Sequence, residues 1–156
     1  MSGMAYKNRN SRQATENSRR TQEGRNDVRT KKHLGQHFLT DLNIAKKISD
    51  SIGGKPSSPV KVLEVGPGMG VLTQFLIERN DIDLYAAEID GESVQYLNER
   101  FPDFSGKLIP GDFLALDLKT MFPDGVGIIG NFPYNISSQI FFKVIENRDL
   151  VPEVVG

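Results

Sequence analysis

The most constraining stretch of the chain is Val60-Lys61-Val62-Leu63-Glu64-Val65, followed without interruption by Gly66-Pro67-Gly68-Met69-Gly70. A short apolar strand running into a glycine loop, then into an apolar face at Val71, Leu72, Phe75 and Leu76, is one half of a strand–loop–helix unit. The pattern then repeats. A strand reads Leu84-Tyr85-Ala86-Ala87-Glu88, with Val94, Leu97 and Phe101 on the helix after it. A short strand lies around 107–109. Another, Val126-Gly127-Ile128-Ile129, precedes a helix from about Ser138 with Ile140, Phe141, Val144 and Ile145 facing inward. Strands alternating with helices form parallel sheets joined by right-handed crossovers. The expected core is therefore a doubly wound α/β sheet with strand order 3-2-1-4.

Upstream, Thr40 or Asp41 can cap a helix whose apolar positions are Leu42, Ala45, Ile48 and Ile52, closed by Gly53, Gly54 and Pro56. Residues 1–30 are rich in Arg, Asn, Ser and Gln, and too poor in apolar surface to offset the entropy of ordering, so a disordered arm is expected there. Residues 1–32 hold nine Lys or Arg against three Asp or Glu, although the whole chain has a net charge of −1. A basic arm on an acidic body suits contact with nucleic-acid phosphates; composition alone leaves open a solvated tail. At the other end, Pro152-Glu153-Val154-Val155-Gly156 reads as the opening of a fifth strand that stops before it can pair. Natural parallel sheets rarely abandon a strand. A fragment cut short after strand 4 is the expectation, with an exposed apolar edge on that strand, marginal stability and a tendency to aggregate.

Composition closes off several classes. The chain contains no cysteine and only two histidines, His33 and His37, which excludes disulfides, thiolate centres and a His-rich metal site. No apolar run approaches the roughly 18 residues of a membrane span. The N-terminus lacks the apolar core of a secretory signal, which makes the cytoplasm the default location.

The chemistry concentrates where strands end. In the loop Glu64 to Gly70, glycines let the backbone approach a ligand closely. A dinucleotide fingerprint G-x-G-x-x-G requires glycine at 71, but that position is Val71 and the third glycine comes one residue early. The form E-x-G-x-G-x-G instead resembles motif I of S-adenosylmethionine methyltransferases. Glu88 stands 22 positions after Gly66, close to the roughly 20 expected of an acid that accepts ribose hydroxyls; Ile89 beside it can pack on adenine. Gly111-Asp112-Phe113 follows strand 3, where an Asp can accept from the adenine amino group; Gly-Asp is equally a common turn signal.

Asn131-Phe132-Pro133-Tyr134 at the end of strand 4 is the most specific element. The lone pair of the adenine exocyclic amine is delocalised into the ring, and acceptors around the amine favour the tetrahedral nitrogen needed for methyl transfer. The Asn131 side-chain oxygen and the Phe132 carbonyl are suited to that task. Pro133 stiffens the loop and brings no N–H. Tyr134 offers a face on which an extruded base can stack, worth ~1–3 kcal/mol.

Together these segments, with Gly35-Gln36-His37-Phe38-Leu39 and the extension Asn135-Ile136-Ser137, resemble the KsgA-type bacterial ribosomal RNA adenine dimethyltransferases, in family order across most of 31–150. The resemblance implies a Rossmann-like class I S-adenosylmethionine-dependent methyltransferase, with 31–156 as the N-terminal part of its catalytic domain. It implies that Gln36, His37 and Leu39 contact S-adenosyl-L-methionine from the N-terminal segment. Gly66 would meet the methionine end within a loop that also brings up Glu64, Gly68 and Gly70. Glu88 and Ile89 would hold the ribose and flank the adenine, Asp112 and Phe113 would take the adenine, and Asn131 would lie between cofactor and target amine. The implied substrate is a pair of adjacent adenosines in a hairpin near the 3′ end of small-subunit ribosomal RNA, dimethylated at N6 by a monomeric, metal-free enzyme tied to subunit assembly. The family more often has Asn at the position of His37 and Leu at that of Phe132; its later strands, helical domain and second base-facing aromatic residue lie beyond this sequence. Two other readings stand beside it: a sister methyltransferase of large-subunit RNA conferring macrolide resistance, and a non-catalytic cofactor- or RNA-binding module. A nicotinamide oxidoreductase is disfavoured by Val71 and by Asn131 to Tyr134.

Overall fold

A computed structural model describes residues 39–54 and 58–156. The first helix, α1 (Leu42–Ser51), begins where Asp41 accepts from the amides of Asn43 and Ile44 at 2.8 and 3.3 Å, which satisfies two of the donors every helix N-terminus leaves open. Strand β1 (Val60–Val65) follows, then α2 (Thr73–Ile77), β2 (Ile82–Glu88) and α3 (Gly91–Arg100). After α3 come a 3-10 turn, β3 (Leu108–Pro110), a second 3-10 turn at Phe113–Ala115, and α4 (Leu118–Met121). Strand β4 (Gly127–Ile129), α5 (Ser137–Glu146) and β5 (Val154–Val155) complete the order.

All five strands are parallel, in the order β3-β2-β1-β4-β5. Val62 pairs with Leu84 on one side and Gly127 on the other, which makes β1 the centre of the sheet. Side chains alternate across it as the pleat requires. Val62, Leu84 and Ile129 join Ile52, Leu72, Leu76 and Leu97 on one face. Leu63, Ala87 and Ile128 join Phe113, Leu118, Phe122, Ile140 and Val144 on the other. The result is three layers, with every strand's C-terminal end on the same rim.

The fifth strand corrects the expectation from sequence. Val154 and Val155 pair with Ile128 and Ile129, and the Ile128 and Gly130 amides donate to the carbonyls of Glu153 and Val155 at 2.9 and 3.1 Å. A parallel partner needs only a few aligned carbonyls to cover an edge, so β4 is an interior strand rather than an exposed one. Three side chains expected to point inward do not: Leu42, Phe141 and Ile145 are exposed, and only Ala45, Ser49 and Ile52, and Ile140 and Val144, hold the buried stripes of their helices. The regular part of α2 starts at Thr73, after a run of turns, and not directly at the glycines.

Gln36, His37 and the expected arm at 1–30 lie outside the described residues. Among the described residues, no helix is long and apolar enough to cross a membrane, and no group of acidic or histidine side chains could hold a metal ion.

Candidate functional site

Because the strands are parallel, the loops after β1, β2, β3 and β4 all emerge on the rim where α/β sheets bind ligands. The glycine loop adopts backbone angles that side chains resist. Gly66, Gly68 and Gly70 have φ of 67, 56 and 74°. A Cβ on Gly66 or Gly68 would meet nothing within 4 Å, so the backbone there is open to close approach by a ligand. Gly70 differs: its Cβ would lie 2.8 Å from the Phe101 ring. Two glycines suit ligand approach and the third suits packing against α3.

Glu88 binds this loop to the next. Its Oε2 accepts from the Gly68 amide and its Oε1 from the Asp90 amide, each at 2.9 Å, and the residue is 2% exposed. Each carboxylate oxygen retains a second acceptor site, enough for two hydroxyls. Ile89 is 73% exposed beside it. Asp90 caps α3 through the amide and hydroxyl of Ser93 at 3.0 and 2.6 Å, which stops β2 and turns the chain.

Glu64 lies under the loop, 1% exposed, and accepts from the Thr73 hydroxyl at 2.7 Å. Burial pushes its carboxyl up to about 8; the Thr73 bond opposes part of the rise, and the charge of Glu88 adds to it. The two acids thus differ in kind. Glu88 is held by backbone amides, and Glu64 retains its proton at neutral pH.

Asp112 follows β3, exposed, with Oδ1 accepting from the Leu114 amide at 2.9 Å, while Phe113 is buried in the core beneath it. After β4 the backbone passes through Gly130, where a Cβ would sit 2.6 Å from the Val65 carbonyl and 2.8 Å from the Phe132 ring. Glycine is needed there to let the two loops touch. Asn131 is exposed on the rim, Phe132 and Pro133 are half-buried, and Tyr134 is 77% exposed. The Pro133 carbonyl accepts from the amides of Ile136 and Ser137 at 3.2 and 2.9 Å, closing a turn that starts α5. Leu39 is half-buried against the core on the α1 face.

Most described members of the expected set therefore gather on one rim; Glu64 is buried beneath it, the Phe113 ring is buried in the core, and Leu39 packs on the core at the start of α1. Several residues escaped the sequence reading. Thr73 holds Glu64, Gly130 permits the loop contact, and the Phe132 ring packs edge-on against Phe141, centroids 5.9 Å apart, so Phe132 contributes its ring as well as its backbone. Lys143 of α5 donates to the carbonyls of Leu114 and Leu116 at 2.9 and 2.6 Å and braces the turn after Asp112. These pairings span distant parts of the sequence and leave no local pattern. A recess of about 610 Å³ opens at the opposite end of the strands, lined by Ile52, Lys61, Asp124, Leu150 and Glu153 among others. It contains neither the glycine loop nor the Asn131 turn.

A shelf of two open glycines, a paired buried acid and an aromatic-tipped turn fits a nucleoside with a charged tail. The profile of the ribosomal RNA adenine dimethylase family matches residues 27–155. A ribosomal RNA small subunit methyltransferase A of Parabacteroides distasonis is 58% identical over 125 residues, covering 80% of this chain and 46% of the relative. Its counterpart in Cytophaga hutchinsonii is 53% identical over 129 residues, covering 83% and 50%. The chain thus spans about half the length of the curated relatives it matches. Among solved structures, the 23S rRNA methyltransferase ErmE superposes with a TM-score of 0.59 at 28% identity, over 70% of this chain and 43% of that one.

Proposed function

The chain belongs to the ribosomal RNA adenine dimethylase family, and on that premise we propose that its rim binds S-adenosyl-L-methionine and directs methyl transfer to adenine N6 in small-subunit ribosomal RNA. The observation that carries this reading is the convergence of the glycine loop, Glu88 and the Asn131–Tyr134 turn at the ends of adjacent parallel strands. S-adenosyl-L-methionine supplies, when bound, an electrophilic methyl on a sulfonium that leaves as a neutral thioether, so the protein needs no strong base.

The residues divide the remaining work. Gly66 and Gly68 leave room for the methionine end, Glu88 accepts from the ribose hydroxyls, and Asp112 accepts from the adenine amino group. Ile89 flanks the ring and the backbone amide of Phe113, whose side chain is buried, donates to a ring nitrogen; Gln36, His37 and Leu39 are the contacts proposed from the N-terminal segment. Glu64 and Gly70 act from beneath by fixing the loop. Asn131 and the Phe132 carbonyl accept from the target amine and draw it toward a tetrahedral geometry. Pro133 sets that carbonyl, and Tyr134 stacks on the extruded base. The substrate is a pair of adjacent adenosines in a hairpin near the 3′ end of the RNA, each methylated twice on the small subunit in the cytoplasm, by a monomer and without metal.

Likeness to the 23S rRNA methyltransferase favours a second reading with the same chemistry on large-subunit RNA; the higher identity to small-subunit enzymes favours the first. Undermethylated small and large subunits, incubated separately with the protein and S-adenosyl-L-methionine and then digested for mass spectrometry, test both. The expected product is N6,N6-dimethyladenosine from the small subunit only, reduced by about 100-fold or more in Asn131→Ala, the scale of losing one acceptor or donor aimed at a transition state. Product from the large subunit would exchange the first reading for the second, and methylation unaffected by Asn131→Ala would refute the assigned role of the turn.

A further inference from the structure

The glycine loop is gripped by the end of α3. Arg100, in the last turn of α3, donates from Nη1 to the Met69 carbonyl at 2.9 Å and to the Tyr96 hydroxyl at 3.1 Å, and from Nη2 to the Gln74 side-chain oxygen at 3.1 Å. Its guanidinium carbon lies 5.0 Å from the Phe101 ring centroid and 5.9 Å from that of Tyr96. Phe101 is also the ring on which Gly70 rests. The end of α3 therefore holds two successive loop residues, one by its carbonyl and one by its Cα.

A guanidinium suits this place because its planar fork serves several acceptors in fixed directions, which an ammonium cannot do. Here it ties together the loop, α2 and α3. The consequence for the loop follows from peptide planarity. Fixing the Met69 carbonyl fixes the opposite end of the same plane, the Gly70 amide. That amide donates to the Pro67 carbonyl at 2.9 Å and closes the turn from Pro67 to Gly70. Inside the turn, the Gly68 amide is directed at Glu88.

We infer that Arg100 is a positioning residue for the cofactor: through the Met69 carbonyl it sets the tilt of the glycine loop, and so the affinity for the amino-acid end of the bound nucleoside. This rests on the proposed cofactor site. Arg100 is exposed and its acceptors are neutral oxygens; an exposed hydrogen bond is exchanged for one to water and contributes little to folding, so affinity and stability should separate on substitution.

The test is calorimetric titration of the whole chain with two ligands, S-adenosylhomocysteine and methylthioadenosine. The second has the adenosine and the sulfur but lacks the amino-acid end. Arg100→Ala is expected to weaken S-adenosylhomocysteine by about tenfold or more, the scale of a typical coupling between two sites, and to leave methylthioadenosine unchanged. Arg100→Lys, which keeps one cationic donor, should recover part of the loss. The ligand-free melting temperature of Arg100→Ala should stay within about 4 °C of the parent. Unchanged affinity for S-adenosylhomocysteine would overturn the inference, as would equal loss for both ligands with a lowered melting temperature. Failure of the unsubstituted protein to bind either ligand would instead overturn the cofactor site itself.

Discussion

At the residue scale, the buried Glu64 under the glycine loop ties the fold to pH. The Glu64 carboxyl titrates at about 8 in the folded protein against 4.5 for an ordinary glutamate. A raised folded value means the native state keeps a proton that the unfolded chain releases. The stability linked to Glu64 is therefore full below about pH 4.5 and is lost as pH rises toward about 8. The melting temperature of the parent protein should fall across that window, and Glu64→Gln should lose most of the fall; parallel curves for the two proteins would contradict the assignment. The glycines allow a second comparison. Gly66→Ala meets only an unfavourable backbone angle, an expected cost of about 1–2 kcal/mol. Gly70→Ala also meets the Phe101 ring and should cost about 1–3 kcal/mol more. Chemical denaturation of the two variants checks the order.

At the element scale, the parts legible from sequence are those set by local chemistry. A cap at Thr40 or Asp41, of which Asp41 is the one used, β1 from Val60 to Val65 and the glycine-to-acid spacing all come from residues near one another in the chain. The errors come from faces and partners. Phe141 and Ile145 sit one position beyond Ile140 and Val144, and apolar character alone does not say which of two neighbouring stripes meets the sheet. Lys143 has no place in the sequence reading, yet it is half-buried over Phe113 with its ammonium on two carbonyls. Lys143→Met keeps the stem and removes the donor. It should destabilise the protein by about 1–3 kcal/mol, the cost of leaving such acceptors unpaired, and an unchanged denaturation midpoint would show that the brace is idle.

At the scale of the whole molecule, β5 alters the account most. Five residues looked too few for a strand, but two residues suffice to cover β4 when the neighbouring carbonyls are in register. Glu153, just before β5, also accepts from the Gly53 amide at 2.9 Å, and so ties the end of α1 to the edge of the sheet. Removing 153–156 should lower the melting temperature by about 5 °C or more and promote association through the bared strand; a deletion variant with an unchanged melt would show that β5 is incidental.

Amide chemical-shift mapping with S-adenosylhomocysteine tests whether the rim of four loops is a nucleoside-cofactor site. Shifts are predicted at Gly66, Gly68, Gly70, Glu88, Ile89, Asp112, Phe113 and Asn131, with little change at the far end of the strands. Shifts centred instead on Lys61, Asp124 and Glu153, which line the opposite recess, or no shifts at saturating ligand, would contradict it.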